Sequence, residues 1–420
     1  MVTLRVPRTV PIDAADKAPP LERGSARLHP SRALLVSELF PPAVGGSAVL
    51  FHGIYSRLER TDVVVLTDPQ TSPHDGTANQ GRVRVLRRPI ATQRWGVMDP
   101  RALWHHARVA IHIRSLLRRG AGLVHVARAL PEGLAALLAR TTGGPDYVCW
   151  THGEDLATAQ SSRELTFLTR RVYAGAKAAL ANSRNTASML EALGIEREKI
   201  CVVYPAVDAV RFHPAIDGSV IRRRYARHDD ILLLSVGRLQ RRKGHDVTIA
   251  AMHRLRTAFP HVRYLIAGDG DERRRLEGLV HQFGLHDRIF FAGVVPNAEL
   301  PAHYTACDVF VLPNRVDGGD IEGFGIVFLE AAAAGRPVIG GDSGGVPEAV
   351  VRDRTGLLVD GSDIAQVSDA IARLAASAVL RERLGRAGRA RVEEFFTWER
   401  AAAAVSVLHA RLARGGRDSS

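Results

Sequence analysis

Short apolar runs recur along the chain, each closed by a glycine- or proline-bearing turn and followed by a segment with helical spacing. The first, "ALLVSELF" from Ala33, leaves through "PPAVGGSA" into the helical pattern "VLFHGIYSRL". "VVVLT" (63–67), "VRVLRR" (83–88), "LVHV" (123–126), "YVCW" (147–150), "AALAN" (178–182) and "KICVVYP" (199–205) are further strands, with helical patterns between several of them. The pattern breaks at "YPAVDAVRFHPAIDGS", a connection near 205–228, and then restarts. "ILLLSVG" (231–237), "VRYLIAGDG" (262–270), "IFFAGV" (289–294), "VFVLP" (309–313), "PVIGG" (337–341) and "TGLLVD" (355–360) alternate with helices. Strands alternating with helices imply parallel sheets with helices on both faces. The fold class is α/β, as two Rossmann-like domains with parallel sheets facing across a cleft. Residues 1–30 read as a loose leader, 31–205 as the first domain and 206–228 as a linker. The second domain covers 229–395, a final helical stretch covers 396–412, and 413–420 is a tail. No short-period repeat is visible.

Length agrees, since 420 residues exceed what one core usually serves. No run approaches the ~18 apolar residues of a membrane span. The N-terminus has no apolar stretch of signal-peptide type, so a cytoplasmic protein is expected, with peripheral contact at the inner face of the cell membrane. Cys149, Cys201 and Cys307 have no metal-like spacing and read as buried thiols in a reducing compartment. The net charge of +13 by itself points to an anionic partner: a nucleotide, a phospholipid surface or a nucleic acid. Only four of the 57 basic residues are lysine, however, so part of that charge is an arginine bias of composition. A nucleic-acid partner is not expected.

The bias makes Lys243 conspicuous. It lies in "SVGRLQRRKGHD", where Gly237 frees the backbone to turn after a strand and Arg238 and Lys243 flank the turn. A planar guanidinium and a point charge there suit a phosphate clamp; a solvated basic loop, with Arg241 and Arg242 included, is the other reading. Asp269 and Asp271 form a D-x-D, read as helix capping rather than as a metal site. "DGGD" (317–320) reads as a turn. Neither G-x-G-x-x-G nor G-x-x-x-x-G-K-[ST] is present. "EGFGIVFLEAAAAG" reads as a helix entered through glycines and closed by Gly335. If all eight steps from Glu322 to Glu330 are helical, the two acids lie about 12 Å and about 80° apart. Glycines open the first-turn N–H groups to an anion, while the two acids can meet two separate sets of hydroxyls. A nucleotide sugar has both; an N-terminal acid favoured by the helix dipole plus one ion-paired glutamate is the plainer alternative. "GGDSGGVPEAV" (340–350) repeats the glycine-lined helix start. In the first domain, Gly45 and Gly46 precede a helix, and His152 follows a strand beside a glycine in "THGED".

Together "VGRLQRRKG", "IAGDGDE", "EGFGIVFLEAAAAGRPVIGGDSGGVPE", "TGLLVD", "FPPAVGG" and "THGED" resemble the retaining glycosyltransferases of family 4, which have the GT-B fold. The resemblance covers about 30–410, and 317–348 looks most like phosphatidylinositol-mannoside mannosyltransferases. It implies that Arg238 and Lys243 hold the donor diphosphate. Glu322 would hold sugar hydroxyls, with the backbone of Gly323, Phe324, Gly325 and Ile326, and Glu330 the ribose. Gly46 would approach the diphosphate, Val294 the base, and His152 the sugar, and the final helix 396–412, opened by Trp398, would cross back to the first domain. The implied reaction is front-face transfer with retention, without metal or other cofactor. GDP-mannose is the donor suggested by the resemblance. The acceptor would be a lipid or glycan chosen by the first domain. There "RALWHHARVAIHIRSLLRRG" (101–120) reads as a basic amphipathic helix suited to an anionic membrane, with Arg101, His105, Arg108, His112 and Arg119 along one stripe and Leu103, Ala107, Ala110 and Ile111 along another. A non-hydrolysing sugar-nucleotide epimerase and a non-catalytic nucleotide-sugar-binding protein are the alternatives.

Overall fold

The computed structural model describes residues 32–415 apart from 44, 60, 70–78, 81, 118–121 and 161. The expected leader, the last five residues of the expected tail and Arg119 lie outside the described residues. The rest falls into two units, one reaching Pro205 and resuming at Trp398, the other Ala206–Thr397.

The first unit holds β1 (Arg32–Val36), β2 (Asp62–Thr67), β3 (Asn79–Gln80), β4 (Val83–Arg87), β5 (Gly122–Val126), β6 (Tyr147–Thr151), β7 (Ala178–Ala181) and β8 (Ile200–Val202). They form one sheet in the order β3-β4-β2-β1-β5-β6-β7-β8. All pairings are parallel except that of the two-residue β3, which runs antiparallel along β4. The strand order reverses between β1 and β5. Leu34, Val36, Val124, Val126, Tyr147 and Cys149 are buried in the core beneath the helices, as strands without polar alternation require. Trp398 opens the helix Trp398–Gly415 and packs on Gly53 of the helix Gly46–Tyr55, where an added Cβ would lie 2.3 Å from the indole.

The second unit holds β9 (Ile231–Val236), β10 (Val262–Ala267), β11 (Ile289–Gly293), β12 (Val309–Leu312), β13 (Val338–Gly341) and β14 (Gly356–Val359), in the order β11-β10-β9-β12-β13-β14. Here the order reverses between β9 and β12. Open parallel sheets bind ligands beyond the carboxyl ends of the strands at such a reversal. The loops after β9 and β12 are therefore where the second unit is built to hold something.

Four local expectations need correction. The connection near 205–228 contains a helix, Ser219–Tyr225, whose first amide is accepted by the Asp217 carboxylate at 2.8 Å. The D-x-D caps no helix: Asp269 accepts the Gly270 amide at 2.8 Å, and the helix Arg273–Gln282 starts after Glu272 without a side-chain cap. Cys201 is only partly buried, its sulfur receiving the Arg411 guanidinium at 3.1 Å. The stripes of the helix Pro100–Leu117 also divide differently. Ala102, His106, Val109, Ala110 and Ile113 face the core, while Leu103, Trp104 and Ile111 are 46%, 67% and 61% exposed. His105 and Arg108 reach down to the carbonyls of Ile90 and Pro89, at 3.0 and 2.9 Å.

Candidate functional site

Strand β9 ends at Val236, and Gly237 turns the chain in the left-handed region with φ +149°. A side chain at Gly237 would meet Lys243, whose Cε lies 3.9 Å from the place of an added Cβ. Arg238 is exposed beside this turn. Residues Arg241–Lys243 make one 3-10 turn, and Gly244 (φ +73°) passes the chain into the helix His245–Leu255. At Gly244 an added Cβ would sit 2.1 Å from the Pro313 carbonyl, so only glycine lets the β9 loop pack on the β12 loop. Two further ties join the loops. The Arg315 amide donates to the Arg242 carbonyl at 2.8 Å, and the Arg315 guanidinium forks onto Asp246 at 3.0 and 2.9 Å.

Four side chains meet where the loops join. One carboxylate oxygen of Glu322, Oε2, accepts from Lys243 Nζ, from Arg242 Nη1 at 2.8 Å and from Asn314 Nδ2 at 2.9 Å. Arg242 Nε also lies 2.9 Å from Asp320. Burial alone would raise the Glu322 carboxyl, but the Lys243 and Arg242 charges and their hydrogen bonds outweigh it and hold it below the ordinary glutamate value. Beneath them His245 is buried, its Nδ1 3.1 Å from the Tyr264 hydroxyl. Burial, then the neighbouring Lys243 charge, pushes its imidazole down to about 3, so it adds no positive charge near neutrality.

Glu322 precedes the helix Ile326–Ala333 rather than lying within it. Gly323, Phe324 and Gly325 (φ +89°) form an irregular entry, so the eight-step helical geometry between the two acids does not apply. The entry is held from β13's loop, where the Gly345 amide donates to the Glu322 carbonyl at 2.9 Å. Phe324 is buried with its ring centroid 5.7 Å from that of Phe396, which fixes the first turn whose N–H groups open at Ile326. Glu330 lies one turn into the helix and accepts the Tyr304 hydroxyl at 2.6 Å. Burial raises its carboxyl, with the Tyr304 bond and the Arg211 charge opposing. Val294, just past β11, is 72% exposed and offers its backbone rather than a pocket. Asp317 and Asp320 close the expected turn through paired backbone bonds at 3.0 and 2.9 Å.

In the first unit Gly46 is the exposed first residue of its helix, reached through Gly45. His152 follows β6, and Gly153 (φ +93°) turns the chain behind it. Its Nε2 donates to the Ala127 carbonyl at 3.0 Å, which leaves Nδ1 as an acceptor. Burial lowers the imidazole and raises the adjacent Asp155 carboxyl, so His152 is neutral near pH 7.

The second unit thus brings Lys243, Glu322 and the glycine-led helix together, with Glu330 one turn on. Three contributors were not singled out from the sequence. Arg242 reads there as part of a solvated basic loop, yet its side chain is 5% exposed. Asn314 carries the signal of position, two residues past the end of β12. Tyr304 gives no signal at all. Among the described residues no group of His, Cys, Asp and Glu has the spacing of a metal site.

The model of glycosyl transferases group 1 matches residues 219–391, and that of the glycosyl transferase 4-like domain matches 45–206. A GDP-mannose-dependent alpha-(1-6)-phosphatidylinositol monomannoside mannosyltransferase of Mycobacterium tuberculosis is 33% identical over 385 residues, 90% of this chain and 97% of that protein. The protein of the same description from Mycolicibacterium smegmatis is 31% identical, covering 89% and 97%. Among solved structures, sucrose-phosphate synthase from Thermosynechococcus elongatus superposes with a TM-score of 0.76 at 24% identity, covering 93% of this chain and 100% of that one. The reversal loops, the cationic cluster on Glu322 and the two matched halves agree: this chain belongs to family 4 of the glycosyltransferases, with the GT-B fold, and acts on a nucleotide sugar.

Proposed function

We propose that this protein moves a hexose of mannose or glucose type, with GDP-mannose as the favoured donor, to a lipid-linked or polysaccharide acceptor with retention of configuration. The carrying observation is the convergence of Lys243 and Arg242 on Glu322 at the strand-order reversal of the second unit. The donor's diphosphate lies along Arg238, Lys243 and the N–H groups that open at Ile326. An ammonium has three donors, so Lys243 can keep Glu322 and still reach a phosphate oxygen. Glu322, kept ionised, accepts hydroxyls of the sugar. Glu330 takes the ribose diol, and the backbone near Val294 takes the base. As the glycosidic bond breaks, negative charge grows on the departing diphosphate beside fixed cations, the arrangement that lowers such a barrier. The acceptor oxygen attacks from the same face, and its proton leaves to that diphosphate. Protein cations serve where a metal would otherwise neutralise the leaving group. Guanine and mannose are supported by the names of the relatives, which describe GDP-mannose-dependent enzymes.

Calorimetric titration with GDP, UDP and ADP tests the donor site. GDP is expected to bind, and EDTA to change nothing. No binding by any of the three overturns the donor assignment, and loss with EDTA overturns the metal-free clamp. Glu330→Gln is expected to weaken GDP by about tenfold or more, the worth of a hydrogen bond to a charged group. Its effect on the free protein has the opposite sign. The folded Glu330 carboxyl titrates above its ordinary 4.5, so its contribution to stability is full below that value and is lost as pH rises through the folded value. At neutral pH the glutamine variant should therefore melt no lower than the wild type.

The first unit meets the membrane through the outward side of the helix Pro100–Leu117. Leu103, Trp104 and Ile111 are exposed there among Arg101 and Arg114, apolar side chains within a cationic rim. No helix among the described residues is long and apolar enough to cross a bilayer. The protein is expected to float with anionic liposomes at low salt and to lose most of that association when Trp104 and Ile111 become serine. Failure of the wild type to float would sink the membrane contact.

A further inference from the structure

The donors that meet at Glu322 all reach the same oxygen. Lys243 Nζ, Arg242 Nη1 and Asn314 Nδ2 converge on Oε2, and no donor among the described residues reaches Oε1. A carboxylate oxygen offers about two lone-pair sites, so Oε2 is saturated and the accepting capacity left to the group lies on Oε1. The side chain is 12% exposed, enough for a ligand to reach that oxygen.

Two of the three donors have a second partner or task. Arg242 also holds Asp320 at 2.9 Å, and Lys243 stands in the loop read as the phosphate clamp. Asn314 has Glu322 alone. Its side chain is fully buried and makes this one bond, at 2.9 Å, while its Oδ1 meets no donor among the described residues. An orphaned buried acceptor weakens a fold, and an apolar side chain of similar volume would not carry that cost. Polarity kept against stability in this way belongs to functional sites. The backbone beneath it is clamped by three loops. The Asn314 amide donates to the Leu312 carbonyl at 2.8 Å, and its own carbonyl accepts the Ser343 hydroxyl at 3.0 Å. Gly341 and Gly361, at the end of β13 and past β14, pack so closely on that carbonyl that an added Cβ at either would collide with it. The ionised Glu322 fixes the amide in turn, since the opposite orientation would set Oδ1 against a carboxylate oxygen.

We propose that Asn314 is a positioning residue for the donor sugar: it holds the Glu322 carboxylate by Oε2, so that Oε1 alone is offered, as an acceptor, to hydroxyls of the hexose. This rests on the reading of Glu322 as the sugar's acceptor and names the group that orients it. Being neutral and buried, Asn314 is not drawn to the diphosphate as the two cations are, and it keeps its hold when Lys243 turns an N–H to a phosphate oxygen. A nucleotide without a hexose makes no use of it.

Calorimetric titration of the full chain with GDP-mannose and with GDP tests this role. Asn314→Ala is expected to weaken GDP-mannose by about tenfold or more, the worth of a hydrogen bond to a charged group, and to leave GDP within about twofold. A merely structural role would weaken both alike. Asn314→Asp keeps the shape but sets a second carboxylate against Glu322, and like charges in contact share a proton. Relative to GDP, the affinity of this variant for GDP-mannose should therefore fall away at higher pH than that of the wild type. Melting midpoints of both variants separate lost orientation from lost fold, and if the alanine variant does not fold, the pH shift of the isosteric aspartate decides. Equal losses for the two ligands, or GDP-mannose binding unchanged in both variants, overturn the proposal. A wild type that binds neither ligand removes the donor reading and this inference with it; a wild type that binds both, with indifferent variants, removes the role of Asn314 alone.

Discussion

Alanine at Lys243 is expected to lower kcat by about 100- to 1,000-fold, the usual loss when one fixed charge or donor at a developing anion is removed. The ammonium sits at the strand-order reversal of the second unit, 10% exposed, with its carbon chain laid over Gly237 and its charge on Glu322. The fold should survive, because Glu322 keeps Arg242 and Asn314 and because the loops remain joined by Arg315. The readout is sugar transfer under saturating donor, with the melting midpoint as control. Turnover within a few-fold of the wild type would remove Lys243 from the reaction. A fall in donor affinity with unchanged kcat would reassign it to binding alone.

Glutamine at Glu322 is expected to destabilise the protein by about 3 kcal/mol, the lower end for breaking a buried ion pair. The lower end applies because Arg242 retains Asp320, while Lys243 loses its charged partner. The effect depends on pH in a defined sense. The folded carboxyl titrates below its ordinary value of 4.5, so its stabilisation is complete above that value and is lost as pH falls through the folded value. Urea midpoints of the two proteins should differ fully near neutrality and converge in acid. A gap that stays constant down to strong acid would show that the charge of Glu322 is not what matters. Donor binding should also weaken, since glutamine offers hydroxyls one neutral acceptor oxygen in place of two charged ones.

The two cases differ in how far they could be read in advance. Lys243 is legible: one of four lysines in the chain, at a glycine turn after an apolar run. Glu322 is legible as an acid before a glycine-led helix, but not as the shared partner of two cations. Arg242 shows the difference most clearly. In the sequence it is one arginine in a run of three basic residues, and only packing against the β12 loop decides that it faces inward while Arg241 is exposed. The same holds for Tyr304, which reaches Glu330 from a separate helix.

By itself the sequence determined what local chemistry controls. Unbroken apolar runs make parallel strands, and their alternation with helices makes two α/β units. The glycines at 237 and 325 mark where backbone must turn, and the motifs mark a family. The tertiary structure alone decided which distant side chains share a space. Glu38 and Arg128 are 90 residues apart and meet only because β1 and β5 lie side by side. The outward face of Pro100–Leu117 was likewise settled by what the sheet covers, since a helical stripe does not say which of its faces finds the core. Strand order sets such meetings, and strand order depends on long-range packing that no local pattern encodes.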